Sequence, residues 1–237
     1  MPQESPFARM EILYGPDAMR RLADSRVALF GVGGVGGHCA QALARCGVGS
    51  FVLVDQDHVT LTNINRQAVA FHSTLGRAKV EVMRDQILDI NPEAKVHAIY
   101  DRYSPEHDLG IWQMPLDLVI DAIDTVTAKV DLALQAQAHG IPVISCMGAG
   151  NKLDPTRFEV ADISETSVCP LCRATRKMAR AKGIERLRVV YSKELPAPQL
   201  NPILSPDTQR PVPGSVAYVT AAAGLVLAAE AVRMLTQ

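Results

Sequence analysis

The chain alternates two hydrophobic patterns. Short, mostly apolar runs stand at RVALFG (26–31), FVLVD (51–55), KVHAIY (95–100), DLVIDA (117–122) and PVISCM (142–147). Runs of this length between turn residues predict strands. Between them lie stretches with helical spacing. Residues 7–24 carry Met10, Leu13, Met19 and Leu22 on an apolar stripe that Gly15-Pro16 interrupts. A helix over 35–46 ends at Gly47, an amphipathic one over 76–91 is stopped by Asn91-Pro92, and another covers 127–139. This strand–helix alternation predicts an α/β fold: a doubly wound, mostly parallel, Rossmann-like sheet with helices on both faces.

Past Gly148-Ala149-Gly150 the pattern loosens. FEVADI (158–163) reads as a strand and 170–182 as a helix. LPAPQLNPILSPDTQRPVPG (195–214) is too rich in proline for regular structure and reads as a mobile surface loop, a kind that often carries function. From Val216 to Ala229 the chain is apolar or small apart from Tyr218 and Thr220, and Glu230 and Arg233 follow. That is short of the roughly 20 residues a membrane span needs, so a core or interface helix is expected and no membrane partner. No internal repeat is present. The expected organisation is one domain over 1–237, with an N-terminal helical arm (7–24) and an irregular, substrate-facing segment (164–214).

Composition narrows the class. With 237 residues, 48% apolar and 21% charged, the chain can bury one sizeable core. A net charge of -1 argues against coating the whole surface with nucleic acid but leaves room for a local basic patch. Such a patch occurs at 173–188, where Glu185 is the single acid among Arg173, Arg176, Lys177, Arg180, Lys182, Arg186 and Arg188. Arg173, Arg176, Lys177 and Arg180 are the candidate contacts to a nucleic-acid backbone. MPQESPFARM has no charged start followed by an apolar run, so no leader is expected. The odd set of five cysteines lacks framework spacing, which fits a reducing, cytoplasmic compartment.

GVGGVG (31–36) falls between a strand and a helix, the context a phosphate-binding glycine loop requires. Gly31, Gly33 and Gly34 bring backbone N–H groups toward a phosphate, Gly36 allows close helix packing, and the helix dipole favours the anion. Asp55, at the end of the second strand, suits a ribose hydroxyl. A module binding NAD or FAD would account for these residues. It would leave a second group unused: Asp57, Asn63, Asn65, Arg66 and Gln67, then Lys79 opening the next helix, then Asp121 and Asp124 in IDAID (120–124). Arg66 offers a planar fork for phosphate oxygens, and Asp124 is placed to hold Mg²⁺. A triphosphate needs these extra donors; a dinucleotide's pyrophosphate does not.

GVGGVG, D-x-D-x-V-x-x-x-N-x-N-R-Q (55–67), G-x-x-K-x-E (76–81) and D-A-I-D (121–124) resemble the motifs of the E1-like, ThiF/MoeB-type adenylating enzymes, along nearly the whole chain. The resemblance implies an E1-like fold with ATP and Mg²⁺ as cofactors. A substrate carboxylate then attacks the α-phosphate of ATP. It implies that Asp55 binds ribose, that Asn63, Arg66 and Lys79 bind the phosphates, and that Asp124 binds the metal. It further implies a homodimer in which Arg9, in FARMEILYG, reaches the partner's site.

Within that family, RFEVADISETS-x-x-P-L-x-R-x-x-R (157–176), GAG-x-x-x-DPT (148–156) and VVYSKELP (189–196) resemble the branch that acts on threonylcarbamoyladenosine in tRNA. This implies a tRNA partner, adenylation of the carboxylate on adenosine 37 and its cyclic dehydration. Cys169-Pro-Leu-Cys172 resembles the first of two zinc-holding CxxC pairs found in members that activate a ubiquitin-like sulfur carrier. No second pair precedes the final helix. A tetrahedral site needs four ligands, so structural zinc is not expected. Two reduced thiols facing different sides of a helix start are. Activation of a sulfur-carrier protein is the alternative activity, with a carrier or sulfur-relay protein as partner.

Overall fold

The computed structural model describes residues 5–107, 109–205, 209 and 211–237. Five parallel strands come first along the chain: β1 (Arg26–Phe30), β2 (Ser50–Val54), β3 (Lys95–Ile99), β4 (Leu118–Asp121) and β5 (Val143–Cys146). β6 (Phe158–Asp162) and β7 (Arg188–Ser192) complete a seven-stranded sheet of order β3-β2-β1-β4-β5-β7-β6, in which only the β6–β7 pair is antiparallel. The expected mostly parallel, doubly wound sheet is the one observed. β7 was not anticipated: it lies inside the stretch expected to be irregular, and its apolar signal is only the short run Val189, Val190 and Tyr191.

Among the described residues six α-helices flank the sheet: α1 (Ala8–Asp24), α2 (Gly36–Arg45), α3 (Lys79–Ile90), α4 (Val126–Ala138), α5 (Pro170–Ala181) and α6 (Ala217–Thr236). Each begins within a few residues of its expected start. α1 bends at Gly15, whose φ of 77° and ψ of 164° are not helical, ahead of Pro16. On β1, Val27 and Leu29 enter the core shared with α2, α3 and α6, while Ala28 and Phe30 enter the opposite core under α4. This period of two along a strand buried on both sides explains the unbroken apolar run RVALF.

α6 carries one buried face, with Val219, Ala223, Leu227 and Ala231 fully inaccessible, whereas Tyr218 and Leu225 are each 54% exposed. Its most apolar window has a mean hydropathy of 1.5 and is 50% buried within the fold, the mark of a helix packed on a core. Gly224 lies against the backbone carbonyl of Val35 and the His38 side chain, so α6 and α2 approach at backbone distance.

Between β7 and α6, the described residues of the proline-rich segment form neither helix nor strand, apart from an isolated bridge between Leu204 and Pro211. The mobile loop expected over 195–214 falls partly on residues 206–208 and 210, and the leader reading partly on 1–4. Both stretches lie outside the described residues.

Candidate nucleotide and substrate site

The chain leaves β1 for α2 on one face of the sheet and leaves β4 for α4 on the other. The two loops therefore diverge at the carboxyl ends of adjacent strands, where open α/β sheets bind ligands. A cleft of about 460 Å³ opens there. Gly31 has φ +90°, and a Cβ on it would lie 2.8 Å from the Ala122 carbonyl oxygen. A Cβ on Gly36 would collide with the Gly31 carbonyl. These two positions admit only glycine, one for the turn and one for packing. Gly31, Gly33 and Gly34 line the cleft, and Gly36 is not among its lining residues.

Asp55 fastens this loop to the end of β2. Its Oδ2 accepts from Val32 N–H at 2.7 Å and its Oδ1 from Asp57 N–H at 2.8 Å. Burial raises its pKa above the usual carboxylate value, offset in part by Lys79 and by those two N–H groups. Each oxygen keeps a lone pair free for a ligand hydroxyl. Lys79 opens α3 from a buried position, with Nζ 2.7 Å from Asp57 Oδ2. Asn63 is buried beside Arg66 and Gln67, and all three line the cleft.

Arg66 is aimed by its own turn: Nη1 donates to Thr62 O and to Asn65 Oδ1, each at 2.8 Å. Gln67 is 9% exposed, and its Oε1 has no hydrogen-bond partner among the described residues. A buried acceptor left open in a cleft marks a place for a ligand donor. With the glycine cradle, Arg66 and Lys79, the donor set fits a nucleotide polyphosphate. Asp124 lines the same cleft, and among the described residues its carboxylate has only a 3.4 Å contact from Thr125 Oγ1. Among the described residues no group of three or more His, Cys, Asp or Glu stands together as a metal cage.

Four expectations change. Asp121 does not line the cleft. It is fully buried, paired with Lys129 Nζ at 3.0 Å, bonded by Ser145 Oγ, and its Oδ1 accepts from Ile123 N–H at 3.0 Å. As the last residue of β4 it points into the core, where α4 supplies the counter-charge. Asn65 turns away from the cleft, its Nδ2 donating to Ser215 O at 2.9 Å. Arg176 stands partly buried, with Nη1 donating to Ile163 O, Thr166 O and Thr166 Oγ1, so its guanidinium braces a loop. Arg173, Lys177 and Arg180 remain exposed along α5 at i, i+4 and i+7.

Cys169 and Cys172 do not face different sides. They are the residue before α5 and the third residue of its first turn, a spacing that puts both on one side, and both are buried. A hydrogen bond from the Cys172 thiol, aided by backbone N–H groups of Cys172, Gly148 and Leu171, holds the Cys169 thiol well below its ordinary pKa. The same shared bond raises Cys172.

Arg9 is exposed on α1 and does not line its own chain's cleft. The site also includes a segment that sequence reasoning passed over. Residues 101–105 follow β3 and wall the cleft. There Tyr103 stacks edge-on to Phe30 at 4.9 Å and donates to Asp131 at 2.7 Å. Its only signal in the sequence is a polar run, DRYSPEH, at the carboxyl end of a strand. Thr220 of α6 closes the other side, 3.3 Å from where a Gly34 Cβ would stand.

A ThiF family profile matches residues 7–237. The chain belongs to the ThiF family. Among ThiF-family relatives, a tRNA threonylcarbamoyladenosine dehydratase of Bacillus subtilis is 41% identical over 235 residues, covering 93% of this chain and 91% of the relative. A crystal structure of an Escherichia coli tRNA N6-threonylcarbamoyladenosine dehydratase in complex with ATP superposes with a TM-score of 0.86 at 33% identity, covering 97% of this chain and 93% of that one. Its complex with AMP gives a TM-score of 0.88 at 32% identity over the same shares.

Proposed function

We propose that this ThiF-family protein is an ATP-dependent tRNA threonylcarbamoyladenosine dehydratase, acting in the cytoplasm as a homodimer. The observation that carries the reading is the single cleft at the β1–β4 divergence. It gathers a glycine cradle, Asp55, Asn63, Arg66, Gln67, Lys79 and Asp124. Similarity to dehydratases along almost the whole chain supports the choice of substrate.

In this reading the threonylcarbamoyl carboxylate attacks the α-phosphorus of ATP, the α–β bond breaks, and pyrophosphate leaves. A nitrogen of the same substrate group then attacks the activated acyl carbon. The ring closes, AMP departs with the former carboxylate oxygen, and the nitrogen's proton passes to solvent. No protein nucleophile is needed. Orientation and charge stabilisation carry the rate. Asp55 would hold the ribose, and Arg66 and Lys79 would stabilise charge on the departing pyrophosphate. Asp124 would hold a Mg²⁺ ion, which supplies further charge neutralisation. Arg173, Lys177 and Arg180 would meet the tRNA backbone.

Mass spectrometry of tRNA nucleosides tests the proposal. Incubation with protein and ATP should convert threonylcarbamoyladenosine to a product lighter by one water, and omission of either should not. Unchanged nucleosides, together with ATP–pyrophosphate exchange that depends on a carrier protein ending in Gly-Gly, would replace it with the carrier-activating activity.

A further inference from the structure

The asparagine that faces away from the cleft raises a separate question. Asn65 uses both ends of its amide: Oδ1 accepts from Arg66 Nη1 at 2.8 Å, and Nδ2 donates to Ser215 O at 2.9 Å. It thus joins the guanidinium of the cleft to the returning limb of the long segment before α6.

The neighbour of Ser215 is held just as closely from another direction. Gly214 N–H donates to Asn151 Oδ1 at 2.7 Å, and Asn151 N–H donates to Gly214 O at 2.8 Å. The outgoing limb meets the same residue, with Ala197 N–H on Asn151 O at 2.8 Å and Gln199 Nε2 on Asn151 Oδ1 at 3.1 Å. Gln199 Nε2 also reaches Val212 O at 2.8 Å, tying the limbs together. Asn151 therefore uses its backbone N–H, its carbonyl and its side-chain oxygen on one strap. It does so at φ 56°, a left-handed conformation that asparagine tolerates better than most residues.

We infer that Asn65 and Asn151 are positioning residues that clamp the strap formed by 195–199 and 211–215 to the nucleotide cleft, so that the aim of Arg66 and the placement of the strap form one structural setting. This rests on the ATP and tRNA reading above and gives the strap a role in it: the strap registers the macromolecular substrate against the polyphosphate. Two of the Arg66 hydrogens are spent on Thr62 and Asn65, which leaves Nε and Nη2 without protein partners among the described residues and free for phosphate. Movement of the strap would be felt at the guanidinium through a single side chain.

Three single variants separate the links. Asn151→Gly keeps the left-handed backbone without strain and removes the Oδ1 anchor. Asn65→Asp keeps the acceptor for Arg66 and loses the donor to Ser215. Asn65→Ala loses both. With folding checked by thermal melts, Asn151→Gly and Asn65→Asp should each raise KM for tRNA by about tenfold, and each should weaken ATP binding measured without tRNA, because the strap and the aim of Arg66 are coupled through Asn65. Asn65→Ala should weaken ATP binding as well. The Asn65→Asp/Asn151→Gly double variant should lose no more than the worse single variant, because both hold the same strap. Multiplied losses, or an unchanged KM for tRNA, would overturn the clamp.

Hydrogen exchange gives a readout independent of turnover. Asn65→Asp should speed exchange of the Ala197 amide, which it does not touch. Unaltered exchange there would sink the proposal even if the enzyme is active. A wild-type protein that yields no AMP with tRNA would remove the functional reading and leave the exchange result to judge the clamp.

Discussion

Lys79 Nζ lies 2.7 Å from Asp57 Oδ2, with the lysine side chain 5% exposed and the aspartate 55% exposed. The cation is thus held in place by a partner that water also reaches. Lys79→Ala should leave a solvated Asp57 and an intact fold, yet lower AMP formation steeply. Arg66→Ala should do the same, by roughly 10³-fold or more for a guanidinium stabilising a transferring phosphoryl group. Near-normal turnover in either variant would take that residue out of the reaction.

The same lysine sets a pH dependence. Burial already lifts the Asp55 pKa, and Lys79 pulls it partly back. Removing the cation should lift it further, so Asp55 needs a higher pH to ionise. The acid limb of ATP binding should therefore move to higher pH in Lys79→Ala. A limb that stays or moves down would show that Asp55 does not govern binding.

On α5 the exposed cations and the bracing one should behave differently. Neutralising Arg173, Lys177 and Arg180 should weaken tRNA binding and reduce its salt slope by about 0.7–0.9 per lost phosphate contact. Arg176→Ala should instead lower stability, because it strips donors from the carbonyls of Ile163 and Thr166. Salt titrations and melts on the two variants tell these outcomes apart. An unchanged slope in the triple variant would make α5 an ordinary solvated helix.

Glu230 links α6 to β7 through Arg188 and to its own last turn through Arg233, with its carboxylate 6% exposed. The Arg233 hydrogen bond above all, then Arg188, holds its pKa below the ordinary 4.5. A depressed carboxylate contributes stability that is complete above its unfolded value and is lost as pH falls through the folded one. Glu230→Gln should cost about 1–3 kcal/mol at neutral pH. The gap from wild type should close in denaturant titrations as pH falls below the ordinary 4.5 and through the depressed folded value. A gap that persists in acid would assign the loss to packing.

Arg9 supplies the test of the dimer. Its exposed position outside its own cleft is what a residue serving a partner subunit requires. Arg9→Ala and Arg66→Ala subunits, each inactive alone, should regain activity when mixed, since one site of each mixed dimer carries neither lesion. With random exchange of equal amounts, recovery should approach about a quarter of the wild-type rate. No recovery after proven exchange would place Arg9 in the service of its own chain or of none.

Much of this protein is written locally. Strands buried on both faces must be apolar throughout, and a glycine loop between such a strand and a helix has few other uses. The fold was therefore legible from the alternation of such runs with helical stretches, and the phosphate cradle from RVALFGVGGVG. The order Asp55, Asn63, Arg66, Gln67, Lys79 and Asp124 was legible too, because each follows a strand end or opens a helix, and strand ends converge in a doubly wound sheet.

What the sequence could not decide was direction. Asp121 and Asp124 are three residues apart in one motif. Only the packing of α4 brings Lys129 under the first and leaves the second facing the cleft. Asn65 and Arg66 are neighbours, and only the return of the chain at Ser215 turns the asparagine away. Arg176 and Lys177 are adjacent on one helix, and the loop at Thr166 claims the first. In each case a polar side chain takes the partner that distant segments bring within reach. The pairing is a property of the assembled sheet and its covering helices, because it depends on contacts between residues far apart in the chain.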